Sequence, residues 1–292
     1  MNRISNAQIA KLRWDQDPGR PATVTVGTYP SAVAFDGANI WVTNSGSNTV
    51  SKINPTTNTV TATVNVGANP LGVAFDGANI WVTNNASGSV SKINPATNTV
   101  TATVNLGVNP VGVAFDGANI WVANNGKVSK INPGTNTVTA TVTVGAAPYG
   151  VAFDGANIWV TNSGSTTVSK INPATNAVSA TVTVGTNPYG VAFDGANIWV
   201  ANFSSATVSK IDPAANTVTG TVTMGATPIG MAFDGANIWT TSGSTAVARI
   251  DPATNAVTGT VAVGAGPVGL AFDGTNMWVA NNGSTTVSKL RP

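Results

Sequence analysis

The chain has 292 residues, with no cysteine, no histidine and, since all 11 of its acidic residues are aspartate, no glutamate. Those absences exclude disulfides, thiol nucleophiles, thiolate or imidazole metal sites and any serine–histidine dyad. Charged residues are only 8% of the chain and the net charge is +2, which is not the footprint of a nucleic-acid binder.

Residues 1–20 carry scattered charges and read as an N-terminal extension, within which 9–13 (IAKLR) faintly echoes a strand pattern found later. Residues 1–27 hold no unbroken apolar stretch of the ~7–15 residues of a secretory signal, and no run approaches the ~18 of a membrane helix. The expectation is a soluble, cytoplasmic chain or a piece of a longer protein, with no membrane or nucleic-acid partner. Residues 22–27 (ATVTVG) then read as a strand.

From residue 35 onward one unit recurs. FDGANIW begins at 35, 75, 115, 153, 193 and 233, and FDGTNMW at 272. The spacings, 40, 40, 38, 40, 40 and 39, are those of a tandem repeat, and Trp14 alone lies outside it. Within a unit the hydrophobic period is two. In residues 70–107, GVAF is a first short strand, Asp76-Gly77 a tight turn and NIWV a second strand. SVSKI follows a polar loop, NPATN turns the chain, and TVTATVNLG alternates Val100, Ala102 and Val104 with Thr99, Thr101 and Thr103. Four strands in each of seven units describe an all-β, seven-bladed β-propeller over residues 21–292. The last unit stops after its third strand, so 22–27 are expected to supply the missing fourth and close the ring.

The unit IWVTNNASGSVSKINPATNTVTATVNLG resembles the YVTN-type β-propeller repeat. WVTN stands at 41–44, 81–84 and 159–162, WVAN follows at Trp121, Trp199 and Trp278, and WTTS at Trp239. The resemblance covers about residues 21–292 and implies the propeller fold. Related propellers of the streptogramin-lyase type use histidine, glutamate and a divalent metal. This chain has neither residue type, so the resemblance carries over no catalytic position. The near identity of the units points to recent amplification of one blade or to an engineered array.

In such blades the A–B and C–D turns share one face, and the B–C loops and D–A connections share the other. The first face is monotonous and the second varies. The variable positions expected to ring the channel mouth and bind a ligand are Tyr29, Leu71, Val111, Tyr149, Tyr189, Phe203 and Ile229, with Tyr149, Tyr189 and Phe203 as the best cluster. Loops that nothing constrains would vary in the same way. The aspartates that recur once per blade read as turn formers rather than a cation site, paired with the strand-C lysines. The asparagines of WVTN read as caps of the B–C loop.

These residues lead to the expectation of a non-enzymatic, monomeric binding propeller that recognises a small ligand, a peptide or a partner protein, without metal or cofactor. A passive scaffold is the alternative. A lyase or hydrolase stands third, for want of histidine, glutamate and cysteine.

Overall fold

Valine, isoleucine, tryptophan and threonine fill the short runs between turn residues, side chains that suit a pleated, half-buried surface. The computed structural model describes residues 21–107 and 109–291. They form seven antiparallel four-stranded sheets. In the first blade strand A is Pro30–Phe35, B is Ile40–Asn44, C is Thr49–Asn54 and D is Thr59–Asn65. Successive A strands touch one another, and that of the seventh blade, Pro267–Phe272, touches that of the first, so the ring closes.

The seventh blade takes its fourth strand, Ala22–Thr25, from the other end of the described chain. Ala22 pairs with Lys289 and Val24 with Val287. Val24 is buried with Val33, Ile40 and Trp278, so this strand completes the last blade and packs on the first. The 1–20 extension, including 9–13, lies outside the described residues. Among the described residues no helix is long and apolar enough to cross a membrane.

The core sits between blades. Trp41, Val50 and Val64 of the first blade pack on Ile80, Val82 and Ile93 of the second, and equivalent clusters fill the other seams. Each fully buried side chain of this size contributes about 1.5–3 kcal/mol before the entropy of ordering it. Outer strands alternate less simply than the sequence implies. Lys52 pairs with Ala62 but Ile53 with Val60, so Thr61 is an extra, bulged residue. The bulge leaves Val64 buried and turns Val60 outward.

The A–B turns behave as the Asp-Gly pattern implies. Asp36 Oδ1 accepts the Ala38 and Asn39 amides at 2.8 and 2.6 Å, and Gly37 takes a φ of 91° that glycine alone tolerates readily. Asp36 Oδ2 accepts the Trp41 indole N–H at 2.7 Å, which fixes the largest core side chain. The strand-C lysines take other partners than the expected aspartates. Lys52 Nζ lies 5.3 Å from the centre of the Trp41 ring and donates to Pro95 O of the next blade at 2.7 Å. Lys289 closes the ring in the same way, onto Pro55 O. Blade seven has no C–D turn, because its fourth strand comes from elsewhere. Arg249, which would reach that turn, bonds Thr258 of its own blade instead.

Candidate functional site

Six of the seven A strands open with a bulge, and that of blade six is shortened to Met231–Phe233. Pro70 pairs with Asn84, and pairing resumes only at Val73 and Val82, so Leu71 and Gly72 bulge from the ladder. A Cβ at Gly72 would strike the Val111 carbonyl of the next blade, which is why a glycine stands where the innermost strands converge. Thr83 Oγ1 accepts the Gly72 N–H at 2.7 Å and donates to Val111 O at 2.6 Å, stitching two blades beside the axis. Thr43 and Thr161 do the same in their blades.

The residue before each of these prolines is left-handed in most blades, Tyr29 and Ala147 included, with φ of 52° and 47°. This lays the D–A connection over the B–C loop: Ser45 N–H donates to Tyr29 O and Ser163 N–H to Ala147 O. Both variable connections therefore occupy one face.

On that face the blades enclose an axial cavity of about 550 Å³. Leu71, Val111, Tyr149, Tyr189, Phe203 and Ile229 all line it. Tyr29 does not belong to the wall. It is 58% exposed and lies over Gly46 of its own B–C loop, because it precedes the proline rather than following it. Ser45 and Asn282, which follow the last residue of strand B in blades one and seven, also line the cavity and were not among the candidates. Their signal was available, since Phe203 occupies the same position in blade five.

The wall is lopsided. Tyr149 and Tyr189 meet edge to face with ring centres 4.5 Å apart, and Tyr189 meets Phe203 at 5.5 Å. Burial raises the Tyr149 phenol above its ordinary pKa, and the neighbouring Tyr189 adds to the shift. A sevenfold ring sets blade one opposite blades four and five. There the wall is polar. Asn282 Nδ2 donates to Pro30 O at 3.2 Å and to Ser31 Oγ at 3.3 Å, and Ser45 Oγ donates to Tyr29 O at 2.9 Å. The lining residues carry no charge.

The asparagines ending strand B serve the scaffold, though not as loop caps. Asn44 is fully buried and its Nδ2 donates to Ser51 Oγ and Thr49 Oγ1, tying strand B to strand C. A Cβ at Gly27 would collide with its side chain, and Gly67, Gly145, Gly185 and Gly264 make room for the equivalent amide in the same way.

With this geometry in view, the model of the glutamine cyclotransferase family matches residues 149–271. Over that span the chain is similar to a family of enzymes. The span opens at Tyr149 and contains Tyr189, Phe203 and Ile229. No curated protein matches the chain. Among solved structures, hydrazine synthase of Kuenenia stuttgartiensis is similar with a TM-score of 0.80 at 21% identity, covering 92% of this chain and 97% of its own. Selenomethionine-substituted virginiamycin B lyase from Staphylococcus aureus is similar with a TM-score of 0.81 at 16% identity, covering 94% and 99%. At such identities the two structures share the fold.

The expectation of a propeller without chemistry is corrected by the family match, which points to an enzyme-type propeller. The step from missing side chains to missing catalysis fails on a physical point. Histidine, glutamate and cysteine are common catalytic groups, but aspartate, lysine, serine and tyrosine also act as nucleophiles or bases. A reaction whose nucleophile and electrophile both belong to the substrate requires neither from the protein.

Proposed function

We propose that the chain is an enzyme-type propeller, built from YVTN-type units, whose axial cavity cyclises a glutaminyl substrate. The observation that carries this reading is the glutamine cyclotransferase match over residues 149–271, the segment that contributes the aromatic wall. In such a cyclisation the substrate's neutral α-amine attacks its own side-chain carboxamide carbon. A ring C–N bond forms, the bond to the carboxamide nitrogen breaks, and ammonia leaves with the proton the amine gives up.

A site for this step has to fold the substrate onto itself, exclude water and move one proton. Holding the two groups in contact is itself a large rate factor. Tyr149 is the ionisable group best placed to handle the proton. Its burial keeps the phenol protonated, so it can donate to the carboxamide and protonate the departing nitrogen while its oxygen takes up the proton that the attacking amine gives up.

The test is ammonia release from glutaminyl-phenylalanine amide, followed with the pyroglutamyl product by mass spectrometry. The wild-type rate should rise through the α-amine pKa, about 8, and hold past about 10, because Tyr149 keeps its proton above the ordinary tyrosine value. Tyr149→Phe should lower kcat on the order of 100-fold, the usual contribution of a positioned general acid. No release above the uncatalysed rate, or a Tyr149→Phe enzyme of full activity, overturns the reading.

A further inference from the structure

We infer that the cavity selects a neutral substrate with a carboxamide at one end and an aromatic or large aliphatic side chain at the other. The inference rests on the proposed cyclisation for the glutaminyl end but on the cavity alone for the rest.

Three observations carry it. Tyr149, Tyr189 and Phe203 form a continuous edge-to-face row on one side of the axis, with centres 4.5 and 5.5 Å apart. Such a row accepts a further ring or branched apolar group in the same geometry. Across the axis, Asn282 spends its Nδ2 on Pro30 O and Ser31 Oγ, and its Oδ1, which bonds none of the described residues, can accept a carboxamide N–H. Ser31 and Ser45 add hydroxyls beside it. Finally, among the described residues no lining side chain is charged, so a charged substrate group would lose its water without gaining a counterion from them. A cavity of about 550 Å³ lies within the range of small-molecule sites, roughly 300–1,000 Å³, and accommodates a dipeptide amide.

The asymmetry comes from single departures. The residue after the strand-A proline is Ser31 in blade one, where every other blade has an apolar or aromatic side chain, and it is Tyr149 and Tyr189 in blades four and five. The residue after strand B is serine or asparagine in five blades, Ser163 of blade four included, and Phe203 replaces it with an aromatic ring in blade five. The aromatic row and Ser31 therefore break the repeat on opposite sides of the axis, while Ser45 and Asn282 keep its polar character.

The experiment separates binding from turnover. N-acetyl-glutaminyl-phenylalanine amide cannot cyclise, because its amine is blocked, and it reports binding by calorimetry. It should bind at least tenfold tighter than the same probe ending in aspartate amide or lysine amide. Tyr189→Ala and, independently, Phe203→Ala in the exposed B–C loop should shrink that preference at least threefold. Ser31→Ala should weaken all three probes together. Equal binding of the three probes, or a preference that survives both aromatic truncations, overturns the inference. If the acetylated probes show the preference while the free-amine substrate releases no ammonia, the cyclisation reading fails and the selectivity stands. If the free-amine substrates cyclise without preference, the reverse holds.

Discussion

The two faces of the disc share one backbone and differ in almost everything else. On the turn face, each blade repeats an aspartate that holds the indole of its own tryptophan at 2.6–2.7 Å. Six of the seven strand-C cations reach across a seam to a proline carbonyl there. On the opposite face, equivalent positions hold Ser31, Leu71, Val111, Tyr149, Tyr189, Ile229 and Val268, and they line one cavity. Where a side chain packs against the next blade, the same residue answers the same geometry in most blades. Where it faces only the cavity, the repeat is free to break its symmetry. A sevenfold wall has no direction. A directional ligand can be held only by the departures.

This contrast presupposes a rigid closed ring, and opening the ring is the largest effect to look for. Deleting residues 1–27 removes Val24 from its cluster with Ile40 and Trp278 and exposes the Thr286–Leu290 strand as a raw edge. The loss of several buried contacts should lower Tm by about 10 °C or more, or drive association through the edge. Calorimetry with sedimentation decides, and an unchanged soluble monomer would break the account of closure.

The next largest effect separates the faces. Burial by itself would raise the Asp273 carboxyl, but the Trp278 indole, the Asn276 and Thr275 amides and the Asn276 side chain together hold it below its ordinary value. Asp234 is held low in the same way by Asn237, Trp239 and Ala236 against the effect of burial. Stability from these groups is complete above the ordinary aspartate pKa near 3.9 and is lost as pH falls through their lower folded values. Asp273→Asn should cost about 1 kcal/mol at neutral pH, a modest figure because the carboxylate is only part-buried. It should also flatten the acid limb of Tm against pH and leave substrate binding untouched. A weakened binding of the acetylated probe by this variant would show that the faces are not separable.

The scaffold was legible because it is repeated. Tryptophan spacing counts the blades, Asp-Gly marks the turns, and a unit lacking its fourth strand pairs with a strand in want of a blade. The cavity was legible in part, for the residue after each strand-A proline could be located by position alone. Tyr29 misled because one residue along a bulged turn separates the cavity wall from the outer rim. Asn282 and Ser45 were passed over although they share the position of Phe203, because an amide or hydroxyl facing the axis looks locally like one capping a loop. The lysines were assigned to aspartates because charge pairing is read from sequence more easily than a carbonyl acceptor one blade away. The likeness to an enzyme family was obscured for a different reason, since composition reports only the groups a protein supplies.

The smallest effect tests whether departures near the cavity belong to the site or to drift. Thr43, Thr83 and Thr161 each accept an amide of their own strand A and donate to a carbonyl of the next blade. Blades three, five and seven place Ala123, Ala201 and Ala280 there, all fully buried, and neither bond can form. Gly112, Gly190 and Gly269 are the corresponding amides, and Tyr149, Ile229 and Ser31 carry the corresponding carbonyls. Restoring the hydroxyl by Ala→Thr should add about 1 kcal/mol per site, since each new group satisfies a donor and an acceptor. That corresponds to a rise in Tm of roughly 2–4 °C each in a chain of this size. The threonine blades show that the backbone accommodates the extra methyl and hydroxyl without rearrangement. If the three variants gain stability and keep the probe preference, the alanines are drift and the site begins at the side chains of the wall. If Ala123→Thr gains stability but loses binding, the Tyr149 peptide it would tether must move for the substrate to enter, and the site reaches into the backbone.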